Sequence, residues 1–319
     1  MFSAIAFGKD ASSNPGIIKG SFIQPYLVEN WEPEDWYSEF DFMLQVKIDQ
    51  LIWQWTSDNN RGKWYYPSVL NNDSVKECNQ VQPCLAAAQR LHVKVWIGLN
   101  NNNQWWIKHA NDEQWLQKEF EFNISMALEL WKLYGSLYGD TIAGFYMPLE
   151  MDNVNFISKE AQSHMALNYK KLCDSIHSNT NKPVMVSPYF SAKRGQKALE
   201  YSRMWAEILS IAPIDVIAIQ DGVGVKHCRS RETAEWFANM QTAISKSRPE
   251  TKLWANIETM EKKMFHYVPA NFERLAEQIS AAAPYVDNFV CFSFNHYQSP
   301  HQKQFKGFNE YKKLLEQVE

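Results

Sequence analysis

The sequence predicts an α/β fold, a single (β/α)8 TIM barrel over residues 1–319, with 1–16 as an irregular extension ahead of the first strand. Three observations predict it. The 319 residues are long for one ordinary domain, short for two and comfortable for a barrel. Short β-branched or aromatic runs alternate eight times with segments carrying helix signals, which implies parallel strands joined by crossover helices. No GxGxxG follows the first run, where "GSFIQPYLVENW" stands instead, and this argues against an open dinucleotide-binding sheet.

The elements follow in order. "IIKGSFIQPY" is the first strand, and "EPEDWYSEFDFMLQVK" its helix, with Pro33 in the opening turn and Trp36, Phe40, Met43 and Leu44 on one stripe. "KIDQLIWQWT" is the second strand, followed by "DSVKECNQVQPCLAAAQRL", with Asp73 or Ser74 as N-cap and a kink expected at Pro83. "HVKVWIGLN" precedes a long helix closed by Gly135 or Gly139, and "IAGFYMPLE" precedes a helix capped by Ser158. "KPVMVSPYF", "DVIAIQDG", "KLWANIETM" and "DNFVCFSFNHY" are strands five to eight. Their helices are "GQKALEYSRMWAEILSIA", "SRETAEWFANMQTAISKS", "NFERLAEQISAAA" and the tail from about Lys306.

Composition narrows the function classes. The net charge is −4 with no Lys/Arg block, so neither nucleic acid nor an anionic membrane is an expected partner. Cys78, Cys84, Cys173, Cys228 and Cys291 are odd in number and lack CxxC spacing, which argues against a disulfide framework or a structural zinc site. No apolar run approaches a membrane span, and "MFSAIAFGKDASSNPG" lacks the marks of a signal peptide. The cytoplasm is favoured, with a secreted or periplasmic placement left open.

A barrel gathers the C-terminal ends of its strands around the site. Those ends carry Gln24, Gln54 with Trp55, Asn100, Glu150, Tyr189, Gln220 with Asp221, Glu258, and Asn295 with His296. Period-two alternation turns Tyr146, Pro148 and Glu150 inward on strand four, and Trp254, Asn256 and Glu258 on strand seven. On strand eight it turns Cys291, Ser293 and Asn295 inward. Strands four and seven lie across the ring from each other, so Glu150 and Glu258 are expected to face one another over the mouth. Paired carboxylates across a cleft are the working parts of glycoside hydrolysis. Asn256 and Asn295 are expected to hydrogen-bond to Glu258 and keep it charged.

The aromatic share of 14% is high. Trp55, Trp64, Trp105, Trp106 and Tyr189 lie beyond strand ends, where rings either stack on sugar faces or pin loops to the barrel. Asn100 to Asn103 offer uncharged donors and acceptors. Asp221 in "QDGVG" either reaches the cleft or supports the Asp-Gly turn, with the turn favoured. His227, His266 and His296 carry no metal-binding spacing, and no GxSxG elbow is present, so no cofactor is expected.

"GSFIQPY", "IDQLIWQWT", "AGFYMPLEMDN", "VMVSPYFS" and "IAIQDGVG" resemble a family of bacterial TIM barrels catalogued as a domain of unknown function and described as glycosidase-like. More broadly, Glu150 after "GFYMPL" and Glu258 after "LWANI" resemble the strand-four acid/base and strand-seven nucleophile of clan A glycoside hydrolases. The resemblance implies a retaining hydrolase of an oligosaccharide or glycoside. In that clan the residue before the strand-four acid is usually an Asn holding a sugar hydroxyl; here it is Leu149, and Asp152, Asn153 or Asn100 are the candidates to replace it. The alternative reading is a carbohydrate-binding barrel without catalysis.

Overall fold

A computed structural model describes residues 16–71 and 76–316. Eight parallel strands close into one barrel: β1 (Ile18–Ile23), β2 (Gln50–Trp53), β3 (Lys94–Gly98), β4 (Ile142–Met147), β5 (Val184–Val186), β6 (Val216–Gln220), β7 (Lys252–Glu258) and β8 (Asn288–Phe292). Each pairs with its sequence neighbours, and β1 pairs with β8 to seal the ring. The crossover helices are α1 (Pro33–Gln45), α2 (Val81–Leu91), α3 (Glu113–Tyr138), α4 (Lys159–Thr180), α5 (Ala198–Ile211), α6 (Thr233–Ser247) and α7 (Phe272–Ala282), followed by α8 (Phe305–Glu316). Among the described residues no helix is long and apolar enough to cross a membrane.

Alternation along each strand makes two cores. Phe22, Ile52, Trp96, Tyr146, Met185 and Trp254 fill the barrel interior, whereas Leu253, Ala255 and Ile257 of β7 pack outward against the helices. Trp96 and Trp254 meet edge to face with centroids 5.7 Å apart. Gly144 makes room for them, because a Cβ at that position would stand 2.4 Å from Trp96 Cζ3 and 2.5 Å from the Pro183 carbonyl. In the outer layer Trp36 of α1 stacks on Trp53 of β2 at 5.3 Å, both fully buried. Burying a large ring contributes a few kcal/mol, on the order of 3 each.

Several expected helix ends hold and one moves. Ser158 caps α4 by accepting the Ala161 N–H at 3.1 Å, Pro33 opens α1, and Gly139 follows the last residue of α3. α2 begins only at Val81, with Gln80 before it, and Lys76–Glu77 forms a short strand. Asp73 and Ser74 lie outside the described residues. Pro83 is the third residue of α2, within the first turn where N–H groups have no intrahelical partner, so the helix continues through it to Leu91 without the expected break. The extension over 1–16 falls on residues outside those described, except for Gly16.

Two small sheets sit on the C-terminal face. Lys76–Glu77, Lys63–Trp64, Ser57–Asp58 and Asn100–Asn101 pair in that order, and Met260–Lys263 with His266–Pro269 forms an antiparallel hairpin after β7. Cys84, Cys173, Cys228 and Cys291 are buried small side chains.

Candidate active site

β4 and β7 each deliver one acid to the same cleft, a space of about 340 Å³ at the C-terminal mouth of the barrel, lined by Glu150 and Glu258. Phe22, Tyr146 and Phe292 form its floor, continuous with the inner core. The side chains of Gln24, Gln54, Gln220, Asn256 and Ser187 supply its polar walls. Tyr26 and Tyr267, both more than 40% exposed, stand at its rim (43% and 45%).

Glu258 is 4% exposed. Its Oε2 accepts the Val225 N–H at 2.8 Å, with the Gly224 N–H also contributing, and the Arg274 guanidinium donates to the Glu258 and Met260 carbonyls at 2.7 Å each. Asp221 lies behind it: Oδ1 accepts from Val223 N at 3.1 Å and Glu258 N at 3.4 Å, and Oδ2 accepts the Gln278 amide. The turn role of Asp221 is therefore present, and it also makes Asp221 a buried charge beside Glu258. Gly224 is needed for this closeness, since a Cβ there would sit 2.3 Å from the Met260 carbonyl and 3.0 Å from Glu258 Cβ.

Burial, reinforced by the Asp221 charge, pushes the Glu258 carboxyl up to about 8 against the pull of the backbone N–H groups and Arg274. Burial likewise lifts Glu150 to about 7, with the Gln220 amide opposing and the Asp152 charge adding to the rise. The Glu150 backbone is held by the Trp105 indole, which donates to its carbonyl at 3.1 Å.

The other candidates from the sequence divide into those in the cleft and those outside its lining. Gln24, Gln54, Gln220 and Asn256 line it. Asn256 donates to Ser187 Oγ at 3.2 Å and Asn295 donates to Glu39 Oε1 at 2.6 Å, in place of the expected bonds to the Glu258 carboxylate. The reason for Asn295 is a shifted parity: Val290 faces the barrel interior and Cys291 the outer core, β8 ends at Phe292, and Asn295 belongs to the short helix Phe294–Tyr297. With Val290 and Cys291 both apolar, the faces of β8 carry no contrast to read.

Trp55 and Trp64 are buried in the outer core, Trp64 edge-on to Phe122 at 6.0 Å, and Trp105 stacks on Phe156 at 5.5 Å. Trp106 is 47% exposed, 6.4 Å from Tyr189. Asn100 is tied to Glu119 at 2.6 Å, Asp152 accepts from Val154 N, Asn155 N and the Tyr189 hydroxyl, and Asn153 bridges the Ser191 to Gln196 loop. None of these three lines the cleft, and Leu149 itself is buried in the outer core. His296 accepts the Gln24 N–H at Nε2, 3.2 Å, and burial pulls its imidazole down to about 4.

The sequence reading passed over Arg274, Gln278, Gly224, Tyr26 and Tyr267. Arg274 and Gln278 had a signal: they stand four apart on α7, interrupting an apolar face formed by Leu275 and Ile279. Among the described residues no group of three or more His, Cys, Asp or Glu is placed to hold a metal ion.

The fold is a TIM barrel, and solved proteins described as glycosidases share it. A candidate α-L-fucosidase from Bacteroides thetaiotaomicron superposes with a TM-score of 0.79 at 22% identity, over 98% of this chain and 99% of that one. The endo-1,4-β-D-mannanase of Thermotoga petrophila gives 0.61 at 15% identity, over 93% and 99%. At these identities the likeness is one of fold. In sequence, 140 residues are 25% identical to YbcH of Escherichia coli (strain K12), covering 44% of this chain and 46% of that protein, less than half of each. A family model described as "Domain of unknown function (DUF4434)" matches residues 18–304.

Proposed function

The chain belongs to the DUF4434 family, and from that premise and the two glutamates of its cleft we propose that it is a retaining glycoside hydrolase. The observation that carries the reading is the shared cleft: Glu150 and Glu258, on strands across the barrel from each other, line one space with an aromatic floor. Glu150 donates its proton to the departing glycosidic oxygen while Glu258 attacks the anomeric carbon. Water then attacks the glycosyl-enzyme ester, giving its proton back to Glu150 as the Glu258 oxygen leaves. A carboxyl lifted to about 7 suits the acid at neutral pH. The nucleophile must be ionised, and the Val225 and Gly224 N–H groups are the donors that favour its charged form.

Replacing either acid tests the roles. Glu258→Gln is expected to lose at least about 10³-fold in kcat on any glycoside the chain cleaves, a loss typical of removing an essential group. Glu150→Gln is expected to lose as much in kcat/KM on poor leaving groups and far less in kcat/KM on 2,4-dinitrophenyl glycosides, whose departure needs no proton, while kcat on the latter falls because hydrolysis of the glycosyl-enzyme loses its base. Turnover of glycosides with poor leaving groups left intact in either variant would refute the assignment, and proton NMR of the first-formed product reads retention directly.

One observation favours a second reading, a carbohydrate-binding barrel without turnover. Leu149 is turned into the outer core, and Asn100, Asp152 and Asn153 are all engaged away from the cleft lining. Calorimetric binding of glycans with no product released across a broad panel selects this reading over the first.

A further inference from the structure

The charge pattern of the cleft restricts what enters it. Its polar lining consists of two acids, four carboxamides (Gln24, Gln54, Gln220 and Asn256) and hydroxyls, and among the described residues it contains no Lys, Arg or His. Two cations beside the lining are engaged: Arg61 pairs with Glu29 at 3.0 Å and lies over the ring of Tyr26 at 5.8 Å, while Arg274 donates to the Glu258 and Met260 carbonyls. Gln54 Oε1 and Asn256 Oδ1 find no hydrogen-bond partner within the protein. Carboxamides accept from and donate to hydroxyls, and unpaired acceptors call for a donor.

We infer that the cleft takes glycosides bearing no anionic group, and that uronates and sulfated sugars are excluded; the inference rests on the glycosidase reading of the same site. A carboxylate or sulfate carried into this space gives up its hydration and meets no cation, only two carboxyl groups on a low-dielectric floor of Phe22, Tyr146 and Phe292. Neutral hydroxyls lose nothing comparable. Selectivity of this kind works by refusing the wrong ligand, with an unpaired buried charge as the refusing element.

The test uses the full chain with 4-nitrophenyl glycosides of both anomers, in a neutral set (glucose, galactose, mannose, xylose, fucose, N-acetylglucosamine) and an anionic set (glucuronate, galacturonate, 6-sulfo-N-acetylglucosamine). Saturation-transfer NMR with the same compounds reads binding without turnover. The expected result is kcat/KM at least about 100-fold higher for the best neutral sugar than for any anionic counterpart. Neutral sugars bound without cleavage, with anionic ones unbound, uphold the selectivity while removing the hydrolase. Cleavage of a uronate or sulfated sugar within about tenfold of the best neutral one overturns the selectivity while the hydrolase stands. A panel in which only anionic sugars bind, or in which nothing binds or is cleaved, overturns the inference.

Discussion

Burial lifts both acids of the proposed pair into the neutral range, Glu150 to about 7 and Glu258 to about 8. The productive form, with Glu258 ionised and Glu150 protonated, is confined between the two titrations, so kcat/KM is expected to follow a bell-shaped profile with its optimum at neutral to mildly alkaline pH. Asp221→Asn removes the charge that raises Glu258 and moves the rising limb of that profile to lower pH, which a purely structural defect would leave in place. The same burial has a stability cost. A carboxyl whose folded value lies above its unfolded one stabilises fully below the unfolded value and loses that contribution as pH climbs through the folded one. Glu150→Gln is therefore expected to raise stability by roughly 2 to 3 kcal/mol at pH 8 and to change it little at pH 4, read from urea midpoints. Both glutamates were legible in the sequence because β7 and the second half of β4 alternate cleanly. Trp64 and Trp105 were not legible as core, because whether a loop ring meets solvent is decided by what folds over it, here Phe122 and Phe156.

Strands proved more legible than their ends. Each of the eight runs contains its observed strand, since a strand buried on both faces leaves a β-branched and aromatic signature. The four two-residue strands beyond β2 and β3 escaped, being too short to show a period. The start of α2 escaped too, because Pro83 reads as a breaker until its place in the first turn is known. β4 offers a direct check on how tightly the interior is filled. Gly144→Ala drives a methyl against the Trp96 ring and the Pro183 carbonyl, and is expected to cost about 2 to 3 kcal/mol in chemical unfolding, much of it as lost burial of Trp96. By contrast, the hairpin tip carries Met264 and Phe265 at 84% and 97% exposure. Replacing both with Ser is expected to leave stability within about 0.5 kcal/mol of the parent, measured the same way.

At the scale of the molecule, the barrel is closed by the pairing of β1 with β8 and by the Gln24 N–H bonded to His296, which joins residues far apart in the chain. Its closure brings Gln24 and Gln54 from the first quarter of the sequence against Asn256 and Glu258 from the last third. The two carboxylates are divided between halves in the same way. A chain severed in the turn between Thr180 and Val184 would leave β1 to β4 with Glu150 on one piece and β5 to β8 with Glu258 on the other. Each fragment would keep four adjacent strands and present two raw sheet edges. Neither would own a complete set of reacting groups, so any chemistry recovered from mixing them would report reassembly of the ring itself, making split halves of this protein a sensor for their own encounter.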